Sequence, residues 1–119
     1  MNAASGAHTG TGVWLLQRAT ALLLALALPG LGVYLLEAQP TDYAGWHSLF
    51  EPLGLRVLIL LTVAALALHA WAGMRDILMD YVRPTALRLA LLLAVIVSLA
   101  GSVAWLAAIL IDPALWGTA

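Results

Sequence analysis

The sequence contains no cysteine, and charged residues make up only 9% of its 119 positions. The absence of cysteine excludes disulfides, thiolate-ligated iron–sulfur clusters and zinc–thiolate sites within this chain. The basic residues are five arginines without a lysine, and they form no basic stripe, so nucleic acid is not an expected partner. A redox-active metal bound by this chain would therefore depend on its histidines, which are His8, His47 and His69.

Apolar residues, in contrast, are in large excess. They make up 64% of the chain, and the mean hydropathy is +1.01. A soluble domain is about half apolar and about a quarter charged. A chain of this length cannot hide so much apolar surface from water, because small folds bury a smaller fraction of their surface. The composition therefore predicts an integral membrane protein in a lipid bilayer and excludes a soluble enzyme.

Three segments are long and apolar enough to cross a bilayer, residues 13–36, 55–79 and 85–111. A helix needs about 20 mainly apolar residues for this. Backbone groups cannot stay unpaired in lipid, so spans of this length are expected to be helices. Residues 1–12 are predicted to be a polar tail. We therefore expect an all-α membrane protein with three transmembrane helices in a single domain.

The distribution of arginine predicts the orientation of the spans. Arg18 lies at the start of the first span, and Arg75, Arg83 and Arg88 surround the second connection. The first connection offers only Arg56, and the C-terminal end has none. Because cytoplasmic segments carry an excess of positive charge, we expect the N-terminus to be cytoplasmic and the C-terminus to face outward.

His69 is the clearest ionisable residue within a predicted span. It lies six residues before Arg75, and therefore about 9 Å deeper along the helix axis. It shares a helical face with Ala65 and Gly73, whose small size is expected to leave room for a flat ligand. One interpretation is a neutral histidine that hydrogen-bonds a neighbouring helix. The other, which the cost of an ionisable group in lipid favours, is a ligand of haem iron.

If His69 ligates haem iron, the number of histidines in the chain limits how that iron is coordinated. No second histidine lies at the depth of His69, since His8 is in the tail and His47 in the first connection. The other axial ligand must then come from a partner chain, or the iron stays five-coordinate. Arg18 and Arg75 are candidate cations for the haem propionates, although the position of Arg18 also suits a snorkelling anchor.

Asp80, Tyr81 and Arg83 form a second candidate site at the cytoplasmic end of the second span. A phenol at the membrane interface can donate a hydrogen bond to a carbonyl oxygen while its ring stays in apolar surroundings. Asp80 and Arg83 could tune that phenol or relay protons. Position alone favours the simpler interpretation, an interfacial tyrosine beside a charge cluster that ends the helix.

Three motifs resemble the hydrophobic membrane anchor subunit of bacterial succinate dehydrogenase. They are Arg18-Ala19-Thr20, His69-Ala70-Trp71-Ala72-Gly73-Met74, and Asp80-Tyr81-Val82-Arg83-Pro84 followed by Leu87-Arg88-Leu89. The resemblance covers residues 13–110, and residues 69–89 are its specific part. It departs from some family members in one respect, since no histidine occurs between Gly12 and Gln17.

The resemblance implies a subunit of complex II, which joins the tricarboxylic acid cycle to electron transport in the bacterial cytoplasmic (inner) membrane. A flavoprotein with FAD would oxidise succinate, and an iron–sulfur subunit would carry electrons to the membrane. A cytochrome b556-type partner would share haem b and a ubiquinone site with this non-catalytic anchor.

The resemblance also implies roles for particular residues. His69 matches the axial ligand of the haem iron, and the second ligand would belong to the cytochrome partner. Tyr81 matches the residue that hydrogen-bonds a quinone carbonyl, with Asp80 beside it, and Arg18 matches the arginine near the haem propionates. Two alternatives remain: the anchor of a fumarate reductase, and a cofactor-free three-span assembly or transport subunit with His69 hydrogen-bonded between helices.

Overall fold

The computed structural model describes residues 3–117, with side chains for residues 10–117, and this part of the chain is helical without any strand. It contains five helices: α1 (Ala3–Ala38), α2 (Tyr43–Leu49), α3 (Leu53–Tyr81), α4 (Thr85–Ile111) and α5 (Pro113–Trp116). The helices α1, α3 and α4 contain the three segments predicted to span the membrane.

The length of these three helices confirms the predicted all-α membrane fold. Their apolar parts are Gly10–Ala38 and Leu53–Tyr81, with 29 residues each, and Thr85–Ile111, with 27. At 1.5 Å per residue each measures about 40 Å or more, which exceeds the roughly 30 Å of a bilayer's hydrocarbon core. Each can therefore cross a membrane with about a turn of helix to spare at either end.

The first helix is longer than the apolar run that predicts it. It begins at Ala3, so residues 3–12, the predicted polar tail, continue the helix. No proline precedes Pro29. Extending an existing helix costs little once its first turn has formed, so the small residues before the span can propagate it.

Proline and a left-handed residue set the main helix ends. The helix α1 ends at Ala38, where Gln39 has a φ of 43° and Pro40 follows. Pro52 and Pro84 immediately precede α3 and α4, with φ values of −63° and −62°. Proline has no N–H and its fixed φ suits the start of a helix, so the segments that lead into α3 and α4 each end at a proline.

The short helices α2 and α5 lie outside the three predicted spans, α2 between the first two and α5 after the third. Asp42 begins α2 by accepting a hydrogen bond from the backbone N–H of Gly45 at 2.8 Å. Asp112 begins α5 in the same way, accepting from Ala114 at 2.9 Å, and Pro113 follows it. Aspartate before a helix is a known capping signal, and it could have predicted both.

The helix α3 occupies the centre of the bundle, because it packs against α1 on one side and against α4 on another. The buried residues of the three long helices are alanines, threonines and a few leucines, and among residues 10–117 no large side chain is fully buried. Small interface residues let helix backbones approach closely in a membrane. The large apolar side chains lie mainly on the outside, where lipid or partner chains can cover them.

The bundle has two chemically different ends. The end with the start of α1 and the α3–α4 connection, here called the arginine-rich end, carries Arg18, Arg75, Arg83 and Arg88. The other, here called the opposite end, contains α2, the start of α3, the end of α4, and α5. Candidate functional residues occur at both ends and between them.

Candidate functional site: an intramembrane histidine and the arginine-rich end

His69 lies in the second half of α3 and is half-buried against α1. Its Nδ1 is 3.2 Å from the hydroxyl oxygen of Thr20, which belongs to α1. The interhelical hydrogen bond that one sequence interpretation predicted is therefore present. It engages only one ring nitrogen, and Nε2 has no hydrogen-bond partner within residues 10–117. A histidine with one nitrogen held by protein and the other unpaired has the arrangement of a metal ligand.

The space beside His69 is open on one side only. A Cβ atom built on Gly73, one turn further along α3, would meet nothing within 4 Å. Ala65, one turn in the other direction, is buried within the helix packing. The prediction that Ala65 leaves room for a flat ligand is therefore wrong, because neighbouring helices already fill that space. A ligand of His69 would have to approach from the side of Gly73.

Arg18 is exposed on α1, and its guanidinium lies over the ring of Trp14 with 5.3 Å between Cζ and the ring centroid. It makes no ion pair within the described side chains. Two residues of a helix correspond to about 200° of rotation, so Arg18 and Thr20 leave α1 on different sides. The chain alone therefore does not bring Arg18 and His69 together. The other candidate cation, Arg75, is 3.4 Å from Asp76.

Asp80 and Tyr81 lie at the C-terminal end of α3, and both side chains are exposed. Tyr81 follows His69 by twelve positions on one continuous helix, which places the two residues about 18 Å apart along the axis. Neither Asp80 nor Tyr81 forms a hydrogen bond or an ion pair through its side chain within residues 10–117. Both polar groups are therefore available to a ligand or a partner chain at the arginine-rich end.

The other two histidines differ from His69. His47 is at the opposite end, where its Nε2–H donates to the carbonyl oxygen of Leu115 at 2.5 Å and its ring stacks on Trp116. His8 lies outside the residues whose side chains are described. Within those residues, no group of three or more His, Asp or Glu side chains is placed to hold a metal ion. His69 would thus supply a single protein ligand.

Thr20 and Arg56 have contacts that the sequence analysis missed. Thr20 is the last residue of the Arg18-Ala19-Thr20 motif, and its hydrogen-bond partner on the other helix, His69, is 49 residues away. Arg56, counted only as a loop charge, donates from Nη1 to the carbonyl oxygen of Leu110 at 2.8 Å. A polar residue within an apolar span requires a partner, and this signal could have marked both residues.

Comparison with known proteins identifies the family to which these helices belong. The family model described as succinate dehydrogenase/fumarate reductase transmembrane subunit matches residues 3–107. The chain belongs to this family. It is also 38% identical over 92 residues to the succinate dehydrogenase hydrophobic membrane anchor subunit of Coxiella burnetii (strain RSA 493 / Nine Mile phase I). The alignment covers 77% of this chain and 80% of that relative.

The family assignment confirms the resemblance seen in the sequence. The chain is a transmembrane anchor subunit of a succinate dehydrogenase or fumarate reductase complex, and it works with catalytic partner subunits. Its three apolar helices agree with a multi-pass protein of the bacterial inner membrane. A transport subunit of another class is no longer an alternative. The matched residues 3–107 include Arg18, His69, Asp80 and Tyr81.

Proposed function

We propose that this anchor subunit helps bind haem b and ubiquinone in a succinate:ubiquinone oxidoreductase. It docks the flavoprotein and iron–sulfur subunits on the membrane, so that electrons from succinate reach the quinone. FAD and the iron–sulfur clusters belong to those partners. One observation carries the proposal: Thr20 of α1 holds Nδ1 of His69 within the apolar segment of α3, and Nε2 has no partner within residues 10–117.

His69 would be the ligand that this chain contributes to haem iron. The unpaired Nε2 and the open backbone at Gly73 fit a flat ligand on that side of α3. Among residues 10–117, His69 is the one histidine within an apolar helix segment, so a cytochrome b556-type partner would supply the other iron ligand. When bound, haem b provides a one-electron carrier within the membrane.

Arg18 binds a haem propionate in this arrangement. Its guanidinium makes no ion pair within the described side chains, and it lies toward the arginine-rich end of α1, where a haem propionate would need a cation. The contact with Trp14 holds the guanidinium without consuming its hydrogen-bond donors.

Tyr81 and Asp80 form this chain's part of the ubiquinone site. The exposed phenol of Tyr81 donates a hydrogen bond to a quinone carbonyl oxygen, and the Asp80 carboxylate beside it moves or holds a proton. The positive-inside bias puts this end of the bundle on the cytoplasmic side, with the N-terminus cytoplasmic and the C-terminus outward. An iron–sulfur subunit docked on that surface would lie close to the quinone.

The direction of the reaction is taken from the comparison. The family description covers both succinate dehydrogenase and fumarate reductase, whereas the relative from Coxiella burnetii is named for succinate dehydrogenase alone. That name, on a relative with 38% identity, favours the oxidation of succinate over the reverse reaction.

The test uses the native complex, isolated in mild detergent through a C-terminal tag on this chain. The preparation is assayed for succinate–quinone reductase activity and for a reduced-minus-oxidised haem spectrum. We expect both in the wild type, and a lost or altered haem spectrum in His69→Ala. His47→Ala is the matched control, because that ring is engaged with Leu115 at the opposite end.

Two results would contradict the proposal in different ways. An unchanged spectrum in His69→Ala would mean that the iron is held elsewhere. Recovery of the intact tagged chain without a dehydrogenase partner and without activity would remove the succinate–quinone role altogether.

A further inference from the structure

The hydroxyl group of Thr20 is buried at the α1–α3 interface, with only 6% of the residue exposed. Three polar atoms surround it. Its oxygen lies 2.7 Å from the carbonyl oxygen of Leu16, 3.1 Å from that of Gln17, and 3.2 Å from Nδ1 of His69. The hydroxyl has only one hydrogen to share among these neighbours.

The two carbonyl oxygens decide where that hydrogen lies. A carbonyl oxygen can only accept, so the hydroxyl must be the donor to Leu16 or Gln17. The 2.7 Å separation from Leu16 is the usual length of an O–H···O hydrogen bond. If the hydrogen pointed at His69 instead, the hydroxyl oxygen would face both carbonyl oxygens without a proton between them. The hydroxyl therefore accepts from His69, and Nδ1 is the protonated nitrogen.

We propose that Thr20 is a positioning residue for the haem ligand, an inference that rests on the function proposed above. By accepting from Nδ1–H, its hydroxyl holds His69 in the tautomer whose Nε2 carries a lone pair. It also orients the ring so that this lone pair is directed away from α1.

The same hydrogen bond tunes the ligand. A histidine that donates from its second nitrogen is a more basic ligand, because proton donation pushes electron density into the ring. A more basic ligand stabilises ferric over ferrous iron and lowers the midpoint potential. Removal of the Thr20 hydroxyl should therefore raise the potential of the bound haem and disturb its spectrum.

The chain offers a matched control in Thr62 of α3. Its hydroxyl donates to the carbonyl oxygen of Leu58 at 2.7 Å, the same bond that Thr20 makes with Leu16. Thr62 is also buried, with 2% exposed. It has no hydrogen bond to another helix within residues 10–117. Thr62→Val thus removes a buried threonine hydroxyl without touching His69.

The experiment compares Thr20→Val, Thr20→Ser and Thr62→Val in the purified tagged complex. The readouts are haem content, the electron paramagnetic resonance spectrum of the ferric haem, and the midpoint potential from a redox titration. In Thr20→Val we expect the preference for ferric over ferrous iron to fall tenfold, which raises the midpoint potential by about 59 mV for a one-electron couple. The spectrum of the ferric haem should also shift. Thr20→Ser, which keeps the hydroxyl, should restore wild-type values, and Thr62→Val should match the wild type.

The inference is overturned if Thr20→Val and Thr62→Val give the same potential and spectrum, since Thr20 would then serve packing alone. If Thr20→Val does not assemble, it is replaced by Thr20→Ala, in which the smaller side chain also lacks the hydroxyl. The same criterion then applies. Absence of haem from the wild type, or an unchanged spectrum in His69→Ala, would instead overturn the proposed function and this inference with it.

Discussion

The guanidinium of Arg56 lies over the indole ring of Trp116, with 5.1 Å between Cζ and the ring centroid. Arg56 belongs to the start of α3, whereas Trp116 is the last residue of α5. The same guanidinium donates to Leu110, one of the last four carbonyl groups of α4, which have no partner within their own helix. A cation at a helix C-terminus is also favoured by the helix dipole. The side chain of Arg56 therefore links the start of α3 to the end of α4 and to α5 at the opposite end of the bundle.

Trp116→Ala should destabilise the bundle more than any change at an outward-facing tryptophan. Trp116 loses its stacking on His47, its cation–π contact with Arg56, and its indole hydrogen bond to the carbonyl oxygen of Ile109 at 2.9 Å. Together such contacts contribute about 2 kcal/mol. The measurement is the thermal midpoint of the detergent-solubilised chain, with the exposed Trp105→Ala as control. Equal midpoints for the two variants would show that the cluster does not stabilise the fold.

Ala72→Leu should loosen the packing of α3. Ala72 is fully buried, and small residues at helix interfaces permit close approach. Added carbons at a packed site typically cost about 1–3 kcal/mol. The same thermal assay applies, and Ala90→Leu at an exposed position of α4 is expected to have little effect. A midpoint for Ala72→Leu at or above that of Ala90→Leu would contradict the tight packing described here.

Tyr81→Phe should lower quinone reductase turnover while the complex still assembles. The change removes one exposed hydroxyl that makes no hydrogen bond within residues 10–117, so we expect the fold to be retained. Loss of one hydrogen bond to the substrate should lower the rate roughly tenfold. The measurement is succinate–quinone reductase activity, normalised to succinate oxidation with an artificial acceptor.

Tyr43→Phe is the matched control for Tyr81→Phe. The two tyrosines are 77% and 78% exposed, and Tyr43 lies at the opposite end of the bundle. We expect full activity from Tyr43→Phe. Turnover that is unchanged in Tyr81→Phe, or equally reduced in both variants, would remove Tyr81 from the quinone site.

The proposed orientation can be tested with single cysteines, because the chain has none of its own. Ala114 is exposed at the opposite end and Ala86 at the arginine-rich end, so Ala114→Cys and Ala86→Cys form a matched pair. In spheroplasts, a membrane-impermeant maleimide should label only Ala114→Cys, and detergent should allow both to react. Labelling of Ala86→Cys alone before detergent would reverse the assigned topology.

Composition and position along the chain are enough to predict the class of the protein, the three spans and the place of His69 within the second span. These properties follow from position along one chain: the length of an apolar run against the thickness of a bilayer, and the residues that separate His69 from Arg75. The motifs around Arg18, His69 and Tyr81 also indicated the family that the comparisons confirm. The aspartates that cap α2 and α5 are also visible in the sequence, although the predicted spans do not include these short helices.

Which side of each helix meets another is visible only in the packed bundle. Thr20 and His69 are 49 residues apart, and Arg56 and Leu110 are 54 apart. Such contacts depend on how each helix is rotated about its own axis. Where a span is apolar on nearly all sides, hydrophobic periodicity says little about how the helix is rotated about its axis. For the same reason the sequence predicted open space at both Ala65 and Gly73, whereas packing buries Ala65 and leaves Gly73 clear.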